Sequence, residues 1–481
     1  MPEHQVPSIW GDETPVVDRA IEWVRGRVMR PSDPKTTARA AADLAADTGR
    51  TITPDGIGGA RALQVFDEVL APATRAQDDP LNLAYIPSAP TRAAVAFDLV
   101  TSAANVFGGH WEAGAGAIFA ENEALQWLVD LLGWPSSAGG CFVSGGTSGN
   151  LAALVVARDR ARSQRPAPAD GRWKLACTSE SHSSVRAVAH VMDVDVVSVP
   201  VDADDRLTGA ALREVLAGTE GVFAVVASAG STNAGIVDDL AGVTSVAQEY
   251  GVWVHIDGAY GGAALAAPSA RSVFRGIEQA DSFIVDPHKW LFAPYDCCAL
   301  LYRDPVAAQA THAQNAEYLD TVDRRQSNPS DFAVHLSRRA RGLPFWFSLA
   351  THGTRKYSEA VELSLANARR VASAITAEPG LRLVRDPELS VVLFERDGWT
   401  EADYESWSRL LSAEGLMLCL PTRWHGRSVL RLAFVNPRTD VERVIELLRR
   451  MDDDLSRSRS GSSAAAHGRS AAHPIPRDPT G

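Results

Sequence analysis

The sequence predicts an α/β fold, with a large, mostly parallel sheet covered by helices and a smaller C-terminal α+β domain after it. Three observations carry this expectation. Between about residues 81 and 340, short apolar runs alternate with helical stretches, as in strands joined by crossover helices. A glycine-rich turn at residues 145–149 joins a strand-like run to a helical one. After about residue 345 the alternation gives way to a long helical stretch, two strand-like runs and a last amphipathic helix.

The elements follow in order. Residues 1–80 mix short amphipathic pieces such as TPVVDRAIEWVRGRV with loops such as RPSDPKTT, and form an N-terminal helical segment. The large unit spans 81–344. Its strands are read at 174–179 (KLACTS), 193–201 (DVDVVSVPV), 222–230 (VFAVVASAG), 252–258 (VWVHIDG) and 281–286 (DSFIVD). LAALVVARDRARSQ and LAGVTSVAQEYG carry the helical pattern between strands. The small unit, 345–455, opens with one helical stretch from FWFSLATHG through SEAVELSLANARRVASAIT. It continues with strands SVVLFER and SVLRLAFVNP and the helix DVERVIELLRRMDDDL. Residues 456–481 lack apolar side chains to bury and read as a disordered tail.

Bulk properties narrow the function. A chain of 481 residues exceeds one ordinary core. Lys and Arg number 47 against 59 Asp and Glu, a net charge of −12, which argues against nucleic acid or an anionic membrane as the main partner. Five cysteines show no metal-type spacing, and adjacent Cys297 and Cys298 point to opposite sides of a strand. Reduced, buried thiols in a soluble cytoplasmic protein are the expectation. No leader-like segment opens the chain and no apolar run approaches bilayer length.

Chemistry gathers around VDPHKWLFAP, residues 285–294. Lys289 lies between His288 and Trp290 just after a strand, where burial would depress its pKa and leave a nucleophilic amine for a Schiff base. Four further stretches sit at the carboxyl ends of predicted strands, where open α/β sheets bind ligands. FVSGGTSGNLAAL offers Thr147 and Ser148 at a helix N-terminus suited to phosphate, although many such turns bind nothing. It is neither a P-loop nor a nucleophile elbow. HIDGAYGG ends a strand on Asp257, whose carboxylate fits a protonated pyridine nitrogen or caps a turn. SESHSSVRA supplies His182, a ring-stacking imidazole or a structural one. ASAGSTNAG supplies Thr232, a donor to a phenolic oxygen or a turn closer. Phosphate cradle, pyridinium carboxylate, imidazole and Schiff-base lysine together describe pyridoxal 5′-phosphate.

In the same order, SGGTSGNLAAL, SESHSSVRA, GSTNAGIVDD, VWVHIDGAYGG, DSFIVDPHKWL and LSRRARGLPFWFSL resemble the group II pyridoxal-phosphate-dependent decarboxylases, relatives of aromatic amino acid and glutamate decarboxylases. The resemblance covers residues 80–450. It implies the type I, aspartate-aminotransferase-like fold and a homodimer with its active site at the subunit interface. It implies Lys289 as Schiff-base lysine, Asp257 at the pyridine nitrogen, His182 on the ring and Thr232 by the phenolate. Thr147, Ser148 and His288 would contact phosphate, and Tyr85, Pro87, Ser88 and Trp111 would line the substrate pocket. The implied reaction is decarboxylation of an L-amino acid, aromatic or bulky and apolar, to its amine.

Departures from the family pattern carry their own expectations. Asp286 replaces an asparagine and puts negative charge near the phosphate. Gly258 replaces alanine and loosens packing against the ring. Gly109 replaces a phenylalanine and implies a roomier or differently shaped pocket. The loop RRQSNPSDFAVHLSRR lacks the tyrosine that returns the Cα proton; Pro329 stands in its register, with Tyr318 or His335 as substitutes. Loss of that proton source favours an alternative, a decarboxylating aldehyde synthase or another carbon-carbon lyase. Two more readings are a catalytically inactive dimeric scaffold and an aminotransferase, for which Arg431 is the candidate carboxylate clamp.

Overall fold

The computed structural model describes residues 14–35, 37–313, 326 and 328–457. The expected tail lies outside the described residues from 458 onward, as does Tyr318. Seven strands form the large sheet: β1 (Gly139–Val143), β2 (Lys174–Cys177), β3 (Asp195–Ser198), β4 (Val222–Ser228), β5 (Trp253–Asp257), β6 (Ser282–Val285) and β7 (Cys298–Tyr302). Their spatial order is β1-β7-β6-β5-β4-β2-β3. Strand β7 runs antiparallel to both β1 and β6, while β3-β2-β4-β5-β6 are parallel. Every residue of β4, β5, β6 and β7 is buried, which is why these strands read as unbroken apolar runs.

The Gly146–Gln164 helix follows β1 and packs across β4 to β7. Gly149 permits the close approach: a Cβ there would stand 2.7 Å from Ile284 Cγ2 on β6. The second sheet is antiparallel, β8 (Leu381–Leu383), β9 (Val391–Arg396), β10 (Leu420–Trp424) and β11 (Arg427–Ala433), in the order β10-β11-β9-β8. The single helical stretch expected before it is two helices, Leu343–His352 and Thr354–Ala377. Gly353 separates them at φ 76°, a left-handed value that glycine adopts without strain.

The segment from Leu81 joins the two sheets. Leu83 N donates to Leu418 O and Ala433 N to Leu83 O, beside the small sheet. Eight residues beyond Leu83, Thr91 N donates to Phe292 O, just beyond the lysine loop. All five cysteines are buried and none forms a disulfide. Among the described residues, no helix is long and apolar enough to cross a membrane.

Candidate active site

The carboxyl ends of β1, β4, β5 and β6, with the turn after β2, converge on a cleft of about 230 Å³. Of the residues singled out in the sequence, Thr147, His182, Thr232, Asp257, His288 and Lys289 line it. The helix beginning at Gly146 opens onto it with no side chain capping its N-terminus. Its first N–H groups therefore face the cleft without side-chain partners among the described residues.

Lys289 does not have the environment expected of it. Its partner is Asp286, three residues earlier, with Nζ 2.9 Å from Oδ2. Asp286 is buried, and 23% of the lysine side chain is exposed. Burial pulls the ammonium pKa down, but the charge and hydrogen bond of Asp286 outweigh it, with Asp257 adding. The net direction is up rather than down. Nor does Trp290 cover the amine: it is fully buried and stacked on Tyr260, centroids 5.4 Å apart and planes 14° apart. Tyr260 is anchored in turn by Ser390, 2.5 Å from its hydroxyl. Trp290 thus fixes the loop from below, while the Asp286 carboxylate faces Lys289 and lies 3.6 Å from His288 Nε2.

Asp257 accepts from Ala259 N at 3.1 Å through Oδ1 and from Asn150 Nδ2 at 3.0 Å through Oδ2. His182 caps the Ser183–Val191 helix, its Nδ1 accepting from Ser184 N at 3.2 Å. Its other ring nitrogen therefore carries the proton in the neutral form. His288 Nδ1 lies 2.7 Å from Cys297 O, and the Tyr295 ring leans over the imidazole at 4.7 Å. Thr232 is held by its backbone, since its carbonyl accepts from Arg431 Nε at 3.0 Å and Nη2 at 2.6 Å. Arg431 also donates to Tyr85 O at 2.6 Å. Burial lowers its pKa to about 10. Its three hydrogen bonds to two carbonyls mark it as a structural pin between the Tyr85 segment and the Thr232 loop.

The remaining expected residues lie off this cleft. Ser148 turns its hydroxyl to Ser144 Oγ, 2.9 Å away. Tyr85 is 68% exposed at φ 55°. Pro87 is buried, and Ser88 donates to Ala293 O at 3.0 Å. Trp111 begins the helix to Leu132, its backbone N–H donating to Asn328 Oδ1 at 2.8 Å. Two glycine expectations are overturned by packing. A Cβ at Gly258 would meet Phe283 Cε2 at 2.5 Å and Ile284 O at 2.8 Å, so that space is filled, not loose. A Cβ at Gly109 would meet Leu336 O at 2.3 Å and the Phe107 ring at 2.6 Å, so no roomier pocket opens there. Pro329 starts a buried 3-10 turn, and His335 packs near Arg338 rather than lining the cleft.

The comparisons decide the family. A model of the pyridoxal-dependent decarboxylase conserved domain matches residues 61–396. The chain belongs to the pyridoxal-dependent decarboxylase family. The chain is 30% identical over 388 residues to an aromatic-L-amino-acid decarboxylase of Bacillus atrophaeus, covering 77% of this chain and 80% of that one. It is 28% identical over 366 residues to an L-2,4-diaminobutyrate decarboxylase of Acinetobacter baumannii, covering 71% and 72%. In fold it is similar to the Oryza sativa TDC solved with PLP and tryptamine, at TM-score 0.85 and 24% identity over 95% of this chain and 99% of that one. It is also similar to the Rhodiola rosea 4-hydroxyphenylacetaldehyde synthase, at TM-score 0.81 and 22% identity over 94% and 99%. This decarboxylase is a carboxy-lyase dependent on pyridoxal 5′-phosphate.

The cleft suits that cofactor on its own chemistry. One amine, Lys289, is available to an aldehyde, a buried carboxylate, Asp257, to a protonated ring nitrogen, and an uncapped helix N-terminus to a phosphate. The sequence singled out Asp286 for its charge but not for its pairing with Lys289, and it did not single out His255, Asn150 or Ser184. Asp286 at i−3 of Lys289 on a short helix was visible as a spacing. His255, two residues before Asp257 on a strand, was visible as a same-face pair. Asn150 and Ser184 gave no signal beyond polar residues near helix starts.

Proposed function

We propose that this decarboxylase converts an L-amino acid with an aromatic or bulky apolar side chain into its amine. The observation that carries the reading is the Lys289–Asp286 pair in a cleft also lined by Asp257 and His182. A relative of 30% identity is named for aromatic L-amino acids, which supports that side-chain class. Pyridoxal 5′-phosphate, when bound, supplies the electron sink for the pair left at Cα as CO2 departs.

The chain's residues take these roles. Lys289 would hold the cofactor's aldehyde carbon, and Asp257 would keep the proton on its ring nitrogen. His182 would support the ring, and Thr232 would donate to its phenolate oxygen. Gly146, Thr147 and His288 would hold its phosphate, with Ser148 offering backbone rather than its engaged hydroxyl. Asp286 keeps a proton on Lys289 Nζ whenever the amine is free, so Lys289 can return a proton inside the cleft. Tyr85, Pro87, Ser88 and Trp111 serve the substrate pocket of a cytoplasmic homodimer. Tyr85, exposed and off its own chain's cleft, supports a site completed by a partner subunit. The two sheets, lying on either side of residue 344, support the division into units 81–344 and 345–455.

A second reading, aldehyde formation, is favoured by Pro329, a residue without an acidic proton in the register of the family's loop tyrosine. One assay separates the two. The holoenzyme is mixed with a panel of L-amino acids while CO2, amine, aldehyde and peroxide are followed together. CO2 with equal amine supports the proposal. CO2 with aldehyde and peroxide replaces it by the second reading, and absence of CO2 refutes both.

A further inference from the structure

We propose that Asn150 and His255 form a positioning relay that sets which protons face the cofactor, by locking the Asn150 amide so that it donates to both Asp257 and Ser184. The proposal rests on the reading of Asp257 and His182 as cofactor contacts, and gives a role to buried residues which that reading leaves unused.

At the two ends of the chain of bonds, chemistry permits one role only. Trp253 Nε1–H is a donor, 2.7 Å from Ser282 Oγ. The Asp257 carboxylate is an acceptor, with Oδ2 3.0 Å from Asn150 Nδ2. Asn150 must therefore turn its NH2 toward Asp257 and its Oδ1 toward His255 Nε2, 2.8 Å away. That nitrogen then carries the imidazole proton. Nδ1 is left as acceptor for the Ser282 hydroxyl at 2.8 Å. The second amide hydrogen of Asn150 goes to Ser184 Oγ at 3.1 Å. Ser184 is then free to donate its own hydrogen to His182 Nδ1 at 2.8 Å. Each proton in the chain from Trp253 to His182 has one place.

Flipping the amide would set its oxygen against a carboxylate oxygen, reverse the tautomer of His255 and draw the Ser184 hydroxyl hydrogen away from His182. Asn150 is 1% exposed, and His255 and Ser282 are 0% exposed, so no water compensates a wrong orientation. Burial also holds the His255 pKa well below its ordinary value, with Asp257 offsetting only part of this, so the imidazole is neutral. Placement follows from the fold: His255 and Asp257 share one face of β5, and Gly149 lets the helix bearing Asn150 press onto the sheet.

The test uses two readouts. In cofactor-free protein labelled with 15N-histidine, the His255 signal, assigned by its loss in His255→Gln, should show Nε2–H and a bare Nδ1. The Nδ1–H tautomer would overturn the relay. Cofactor affinity is then compared. His255→Leu should weaken the Kd for pyridoxal 5′-phosphate about 5- to 100-fold, the effect of leaving a buried polar group unpaired. His255→Gln, whose amide can accept from Ser282 and donate to Asn150, should stay within about threefold of wild type, since both of those bonds survive. Equal loss in the two variants, or no loss in either, overturns the proposal. Should His255→Leu fail to fold, the isosteric Asn150→Asp must show the same loss, and unchanged affinity there refutes it. Asp257→Ala with unaltered affinity would instead refute the reading of Asp257 itself, whichever tautomer His255 shows.

Discussion

Replacing Asp286 by asparagine should make Lys289 a far better nucleophile in the cofactor-free protein. The change removes the charge at 2.9 Å from Nζ and leaves an oxygen that still accepts its hydrogen bond. Coulomb's law at that distance gives about 1.4 kcal/mol in the dielectric of water and about 6 kcal/mol at an effective value near 20. With 23% of the lysine side chain exposed, the lower part of that range applies, close to the roughly 1.5–3 kcal/mol of hydrogen bonds to charged groups. The ratio of neutral amine to ammonium should rise about ten- to a hundredfold, at 1.36 kcal/mol per factor of ten. The assay is reductive labelling with a small aldehyde at pH 7.5, read by peptide mass spectrometry. The chain has only four lysines, Lys35, Lys174, Lys289 and Lys356, so the other three serve as internal standards. Labelling of Lys289 that is unchanged or slower in Asp286→Asn would refute the view that Asp286 holds the amine charged.

Other predictions test the scaffold. The Glu121 and Arg338 side chains are each 2% exposed and paired at 2.7 Å, with Gly342 N donating to Glu121 as well; Glu121→Ala should cost about 3–5 kcal/mol in urea unfolding, because a buried charge loses its partner. Gly258→Ala should cost about 1–3 kcal/mol by the same measurement, because Phe283 and the Ile284 carbonyl already occupy the space. Burial, with Arg338 adding, holds His335 down to about 4 against an ordinary 6.5. The unfolded chain therefore binds the extra proton between those values, and stability should fall by about 3 kcal/mol as pH drops from 6.5 to 4. His335→Gln should flatten that slope, and an unchanged slope would count against the assignment.

Those predictions depend on features of unequal visibility in the sequence. Strands β2, β4, β5 and β6 were legible because burial on both faces leaves continuous apolar runs. Strands β8 and β10 were not, since their half-exposed residues carry no such run. The break at Gly353 was hidden because both flanking helices keep an apolar face in their own register. In the site, Lys289, Asp257, His182, Thr232, Thr147 and His288 stood out by position at strand ends and converge on one cleft. What escaped was pairing. That Asp286 rather than Trp290 governs Lys289, that Arg431 pins carbonyls, and that Asn150 faces both Asp257 and His255 are facts of side-chain direction. They arise only once the helix after β1 is laid across the sheet.

The central claim is that Lys289 carries the cofactor. Borohydride reduction of the holoenzyme followed by peptide mapping tests it most directly. The account predicts one phosphopyridoxyl adduct, on Lys289, suppressed when a substrate amino acid is present during reduction. An adduct on Lys174 or Lys356, or none on Lys289 in protein saturated with pyridoxal 5′-phosphate, would contradict it.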